Sequence, residues 1–375
     1  MEIKKFIDIH VPIFNCNLKC SYCYVSQVPQ DNKKTIFNYS PEIVKKALSV
    51  ERLGGICHFN VCGMGETLIP YELLQYIQVI LENGHTVMIV TNGTLTNRFK
   101  EYMELSAELK RHLGFKFSYH YLELKRLELY DQFWDNVRLV RDNGCSFSLE
   151  LTSNDSYEPY IDEIIRTCMK EIGAVCHISV PRDEATDRIS LYSKHSKDEY
   201  RKIWKVFESP MFELKMRHWE EPRKEFCYAG LWSGLLNLGT GEFNACYRQP
   251  GPIGNLFENV NQKFCFYPVG KCEVPHCFNG HSFLAFGTIP EIDEESYKDI
   301  RDRITVDGRH WINEDMREQF SKKLKQYNRE LSDKEKKDFR KKHRVEKSKF
   351  VLKKMIQKIS RIKSKVLKND EKSTG

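Results

Sequence analysis

The sequence predicts an α/β fold built on a mostly parallel sheet. Short apolar runs rich in Val, Ile and Phe recur through the first 180 residues. Each is followed by a longer stretch with helical spacing, and Gly, Asn or Pro marks the joins. Strands alternating with helices in this way form βα units, which build parallel sheets. The alternation alone does not decide between an open sheet and a barrel.

KFIDIHVPI (5–13) reads as a buried strand that delivers the run FNCNLKCSYCYV at its C-terminal end. Residues 41–53 read as a helix, with Ser40 as cap and Pro41 in first position. ICHFNVC (56–62) is the next strand, followed by a Gly-rich turn at 63–66. A helix over 70–83 ends at Gly84, and HTVMIVTNG (85–93) is a strand and turn. Residues 96–112 read as helix, 115–122 as strand, and 129–143 as a helix closed by Gly144. A strand over 145–152, a helix over 157–172 and a strand over 174–180 complete six units. In such sheets chemistry collects at the C-terminal strand ends, where the cysteine run, the Gly turn and TNG all fall.

Beyond the sixth strand the character changes. Residues 182–225 are polar and read as a connecting helical segment, whereas 226–288 are rich in Cys, Gly and aromatics. The expected domains are therefore 1–220, a small metal-stapled domain over 221–290, a linker over 291–320 and a tail over 321–375. No internal repeat is evident.

Composition narrows the class. Hydrophobic residues make up 41% of 375, enough for a sizeable core. The charged start MEIKKFIDIHV is not a secretory signal, and no run approaches the ~20 apolar residues of a membrane span. Thirteen cysteines in such a chain point to a reducing cytosol, where they serve as metal ligands or free thiols. Residues 321–375 hold 21 of the 59 Lys and Arg but only 7 of the 52 Asp and Glu. The basic balance thus belongs to the tail, and the body is acidic.

Cys16, Cys20 and Cys23 form a C-x3-C-x2-C run. Three thiolates can hold a [4Fe–4S] cluster while leaving one iron open to a non-protein ligand. Zinc, by contrast, favours four ligands in a closed site. At these residues the chain resembles the radical S-adenosylmethionine superfamily. The resemblance implies a six-unit partial (β/α)6 TIM-like barrel. It also implies that S-adenosylmethionine binds the open iron and yields a 5′-deoxyadenosyl radical that abstracts hydrogen from the substrate. Tyr22 falls where the family places an aromatic beside the adenine.

CGMGETLI (62–69) resembles the family's Gly-Gly-Glu motif, as Gly63-x-Gly65 with Glu66, although Thr67 stands where Pro is common. Glycine there lets backbone approach the methionine ammonium, whose hydrogen bonds strand-end carbonyls and an acid accept. Thr91 and Asn92 match a strand-end motif near the cofactor ribose, and Ser118 and His120 match a strand facing the cofactor. Glu150 and Thr152 come from the next strand end. His120 reads equally well as a packed strand histidine.

Cys227, Gly241 and Cys246 are spaced C-x13-G-x4-C, and Cys265, Cys272 and Cys277 follow. A hairpin turning at Gly239–Gly241 would bring Cys227 and Cys246 together. This resembles the start of the auxiliary-cluster domain called SPASM or, when shorter, twitch. The resemblance implies a second, auxiliary [4Fe–4S] cluster on Cys227, Cys246, Cys272 and Cys277, with Cys265 spare or substituting. The alternative is a zinc site that adds His276 or His281. Cys57, Cys62, Cys145, Cys168 and Cys176 read as buried small hydrophobes. Cys62 and Cys145 are also candidates to return a hydrogen atom to a substrate radical, as in family epimerases.

In the tail, residues 347–367 set Leu352, Met355, Ile356, Ile359, Ile362 and Val366 on one face of a basic amphipathic helix. Such helices bind anionic membrane surfaces. A partner-binding or plain solvated tail is the rival, and nucleic acid is disfavoured because only Phe350 is aromatic.

The resemblance implies an enzyme that oxidises or epimerises a saccharide- or aminocyclitol-type alcohol, with a lipid-linked saccharide suiting the tail. A flavodoxin- or ferredoxin-type protein would donate electrons, and the expected location is cytoplasmic, at or near the inner membrane face. A peptide or protein maturase making thioether, carbon–carbon or epimerised links is the alternative, weakened by the 15 residues before Cys16. A non-catalytic metal-stapled binding module is a third.

Overall fold

The computed structural model describes residues 2–27, 35–185, 189–248 and 251–341. The stretch 347–367 lies outside them. Two compact units divide at Asn328 and Arg329. In the second, the Ser332 hydroxyl accepts from Glu335 N at 3.3 Å, and Arg329 pairs with the Glu335 carboxylate at 2.8 Å.

Six parallel strands in chain order form the heart of the first unit: β1 (Ile3–Val11), β2 (Ile56–Gly63), β3 (Thr86–Thr91), β4 (Leu113–Ser118), β5 (Ser146–Thr152) and β6 (His177–Ser179). This is the α/β, partial TIM-like arrangement that the alternation predicts. Helices α1 (Pro41–Ala47), α2 (Val50–Leu53), α3 (Leu73–Glu82), α4 (Thr96–Met103), α5 (Ala107–Arg111), α6 (Tyr121–Arg126), α7 (Tyr130–Asp142) and α8 (Ile161–Ile172) make the crossovers. α8 shows why they form. Ile164, Cys168 and Ile172 recur every fourth residue on the buried face, and Gly173 at φ 68° ends the helix in the left-handed region.

Two expected helices are each broken into two. Ser49 accepts from Arg52 N at 3.3 Å and starts α2, while Ser40, expected to cap α1, makes no side-chain cap bond. Ser106 likewise accepts from Leu109 N and starts α5. β1 ends at Val11 rather than 13, because Pro12 offers no N–H to a ladder. The segment 182–225 is a short hairpin, β7 (Arg182–Asp183) with β8 (Ser190–Leu191), then α9 (Lys197–Trp204) and α10 (Pro210–His218).

The Cys-rich region is continuous with the barrel sheet. β9 (Ser233–Asn237) runs parallel to β1, with Phe6 opposite Ser233 and His10 opposite Asn237. β10 (Glu242–Asn244) and β11 (Gly254–Asn255) extend that edge as antiparallel strands. The hairpin turn falls between Asn237 and Glu242, and Gly241 at φ 78° leaves no room for a Cβ beside Asn255.

Residues 291–320, expected as a linker, are folded into the core. α11 (Gly280–Phe283), α12 (Tyr297–Arg301) and α13 (Glu314–Phe320) supply a floor of rings under β1 and β2. Phe6 stacks on Phe286 at 4.9 Å, Phe286 on Tyr297 at 4.3 Å, and His58 meets Phe320 edge-on at 4.6 Å. Trp311 stacks on Phe147 of β5 at 5.2 Å. Each such buried aromatic contributes roughly 2–3 kcal/mol. Residues 321–328, expected in the tail, also belong here. Leu324 is buried, and the Asn328 amide donates to Lys4 O at 2.9 Å.

Candidate functional site

Alternation along the strands turns Phe6, Asp8 and His10 of β1, and His58, Asn60 and Cys62 of β2, to the barrel interior. Phe6 and His58 meet the aromatic floor. The Asn60 amide donates to Asp8 at 2.6 Å, and Cys62 senses the charges of Lys116 on β4 and Glu150 on β5. The interior above the floor is therefore polar and charged.

The loop after β1 carries Cys16, Cys20 and Cys23. Cys16 is exposed and the others half-buried, and the three thiols sense one another's charge. Burial, more than these neighbours, pushes the Cys20 thiol up to about 12 and the Cys16 thiol above its ordinary range.

The Gly-x-Gly turn supports this loop. A Cβ on Gly65 would stand 2.0 Å from Asn15 O, and one on Gly63 would stand 2.3 Å from an Ile13 methyl. Glu66 N donates to the same Asn15 carbonyl at 2.9 Å. These glycines therefore admit the cysteine loop itself at close approach, a use the motif does not spell out. Glu66 is tied into the same support. It is 2% exposed, and its carboxylate accepts from Thr91 Oγ1 (2.7 Å), Asn92 N (2.7 Å) and Leu68 N (3.0 Å). Burial raises its pKa and these bonds oppose the rise. Glu66 is thereby a strut between the β2 turn and the end of β3, with Oε2 accepting only the Asn92 N bond among the described residues.

Asn92 passes the support on. Its amide donates to Asn17 Oδ1 at 2.8 Å and to Cys16 Sγ at 3.8 Å, and its carbonyl oxygen accepts from Thr94 Oγ1 at 2.7 Å. Asn17 in turn donates to Thr94 Oγ1 at 2.8 Å. Asn17 and Thr94 were not singled out by sequence. The only signal was their place inside the cysteine and TNG runs.

Tyr22 is 6% exposed, and its hydroxyl bonds to His120 Nδ1 (2.7 Å) and Tyr157 OH (2.8 Å). Tyr22 is thus held in place through its hydroxyl by residues of the loops after β4 and β5. Burial brings His120 down to about 4, so it is neutral, and its bond to Tyr22 favours the packed reading over a catalytic one. Ser118 and Thr152 are half-buried at the ends of β4 and β5. Glu150 pairs with fully buried Arg301. Burial opposes ionisation there, but Arg301, Lys116 and Lys215 outweigh it and hold the carboxyl low. Cys145 precedes the first residue of β5 and sits at the opposite end of the barrel from the cysteine loop. It is corrected from candidate hydrogen donor to packed thiol.

Cys227, Cys246, Cys272 and Cys277 come together, each within electrostatic reach of the others. Cys227 pairs with Gly270 in an antiparallel bridge. Burial raises all four thiols, that of Cys246 to about 11. Cys265 is exposed and outside this group. Tetrahedral zinc would set its sulfurs about 3.8 Å apart. Among the described residues no three cysteine sulfurs lie within 4.8 Å of one another. The ligand atoms that do are from Asp155, Glu158 and His195. Neither cysteine set is therefore drawn into a single-ion shell among the described residues, and thiols are the donors that hold iron–sulfur clusters. His276 is 2% exposed against Trp219, and neither ring nitrogen has a partner among the described residues.

A chain of contacts joins the two sets. Arg182 lies over the Tyr24 ring at 4.6 Å and pairs with Glu184 at 3.0 Å, and Arg248 pairs with the same carboxylate at 2.7 Å. Tyr24 follows Cys23, and Arg248 lies two residues beyond Cys246. No described helix is long and apolar enough to cross a membrane.

Residues 11–154 match the model of the Radical SAM superfamily, so this stretch is a radical SAM domain. No curated protein matches the chain in sequence. Among solved structures, SuiB of Streptococcus suis bound to S-adenosylmethionine is 13% identical over 69% of this chain and 65% of its own, with a TM-score of 0.49. The chain thus spans just under two thirds of SuiB. Native anSMEcpe with bound AdoMet is 13% identical over 68% of this chain and 78% of its own, with a TM-score of 0.47. BtrN in complex with AdoMet and 2-DOIA is 15% identical over 70% and 82%, with a TM-score of 0.38.

Proposed function

We propose that the protein is a radical S-adenosylmethionine enzyme that oxidises or epimerises the carbinol carbon of a saccharide- or aminocyclitol-type alcohol. The observation that supports the proposal is the Tyr24–Arg182–Glu184–Arg248 chain, which links the loop of the first three cysteines to the segment that carries Cys246. In this reading Cys16, Cys20 and Cys23 hold a [4Fe–4S] cluster with one iron open to S-adenosylmethionine. Bound there, cluster and cofactor supply a hydrogen-abstracting radical. Cys227, Cys246, Cys272 and Cys277 hold an auxiliary [4Fe–4S] cluster that provides a route for the second electron of an oxidation.

The chain's own residues have defined tasks. Gly63, Gly65, Glu66 and Asn92 fix the cysteine loop against the ends of β2 and β3. Cys62 faces the interior, and burial pushes its thiol up to about 12, so it keeps the S–H that an epimerisation would draw on. A flavodoxin- or ferredoxin-type donor in a reducing cytosol belongs to the same reading.

The test is iron, sulfide and zinc content of anaerobically purified protein beside a Cys16/Cys20/Cys23→Ala variant, each then given dithionite and S-adenosylmethionine. The expected result is about eight irons in the parent and about four in the variant, with 5′-deoxyadenosine from the parent alone. Zinc without iron, and no cofactor cleavage, would sink the proposal.

A further inference from the structure

The barrel interior holds cations that the nearby acids satisfy only in part. Lys116 lies two residues before the end of β4 and is 4% exposed. Its ammonium makes no hydrogen bond or ion pair among the described residues. Lys215 on α10 is half-buried and reaches only the Ser179 hydroxyl, at 3.4 Å, which is long for a hydrogen bond.

The acids around them are already engaged. Glu150 is paired with Arg301, and Glu184 is shared by Arg182 and Arg248. Asp8 accepts from the amides of Asn60 and Asn279, each at 2.6 Å. Burial first, then the charge of Arg182, and after it those of Arg301 and Lys116, bring Lys215 down to about 7, with Glu150 opposing them. An unpaired buried cation costs several kcal/mol. Lys116 is such a cation, and half-buried Lys215, with one long hydrogen bond, faces the same interior, so an anion would complete the arrangement.

We infer that this layer is a recognition site for an oxyanion of the substrate, a phosphate or a carboxylate, with Lys116 and Lys215 as its charged contacts and Arg182 at its rim. The inference rests on the proposed action on a saccharide-type alcohol, and it adds that the alcohol is acidic. The rival use of the same cations is to balance the thiolates of the second cysteine set. The two uses differ in what removal of a lysine does.

The experiment uses the anaerobically purified full chain with its iron in place. It is titrated calorimetrically with glucose, glucose 1-phosphate and glucuronate, which share a ring and differ in charge. One of the two anions should bind about tenfold or more tightly than glucose. Which one does so separates phosphate from carboxylate, and the advantage should shrink at high salt. Lys116→Met and Lys215→Met should each lose about tenfold in that affinity with iron content retained, and Lys215→Arg should restore most of it.

Equal binding of all three sugars by the iron-replete protein would overturn the inference, as would unaltered affinity in both methionine variants. Loss of iron in those variants would overturn it in favour of the charge-balancing role. The radical reading is judged separately, by 5′-deoxyadenosine from the wild type. Anion binding without 5′-deoxyadenosine would sink that reading and leave the anion site standing.

Discussion

Cys16, Cys20 and Cys23 sit on eight consecutive residues, and Cys16 remains open to solvent. Cys227, Cys246, Cys272 and Cys277 come from the approach to β9, the exit of β10 and two later loop positions, and Cys227 is 8% exposed. The first set is placed by chain proximity and then held by glycines, Glu66 and Asn92 from neighbouring strand ends. The second is placed by tertiary structure, through the β9–β10 pairing and the Cys227–Gly270 bridge. A site that must admit a ligand keeps an open face and borrows rigidity from outside. A site that needs only to hold its contents can be enclosed by the fold.

If the second set works as one unit, Cys277→Ala should lose the iron held there, about half the total, whereas Cys265→Ala should lose none. Equal loss from both, read by iron analysis, would break the distinction between grouped and spare thiols. Gly65→Ala strikes the other set. Its new methyl would meet Asn15 O at 2.0 Å and shift the cysteine loop. A misplacement of that order should lower 5′-deoxyadenosine formation about a hundredfold while leaving the second set's iron in place. Unchanged turnover would show that the loop does not depend on this contact. Asn17→Ala is the mildest probe. It removes bonds to Asn92 and Thr94 and should cost about 1 kcal/mol in chemical denaturation, without loss of iron. A cost near zero would mean that Glu66 alone carries the support.

Much of this was legible in the sequence. The six strands fall within a few residues of their expected places because apolar runs bounded by Gly and Pro are local signals. The cysteine loop was legible for the same reason. Glu66 was found but its task was not, because its three partners belong to Thr91, Asn92 and Leu68, and only folding shows that they converge on it. The Arg182–Glu184–Arg248 link and the isolation of Lys116 are properties of packed space and leave no spacing to read. Residues 291–320 looked like a linker because their apolar residues, Tyr297, Ile300, Trp311 and Phe320, are too sparse to show a period. Each fills a place in a core built by other segments.

The pairing of β1 has a consequence for how the chain matures. Its first neighbour, β2, is made soon after it, but its second, β9, comes only after some two hundred intervening residues. The ring floor beneath it comes later still. Contacts so distant in sequence form slowly and late. During synthesis, then, the N-terminal cysteine loop exists on a half-finished sheet whose flank is still open. The loop reaches its final surroundings only when β9 and the segment through Asn328 dock.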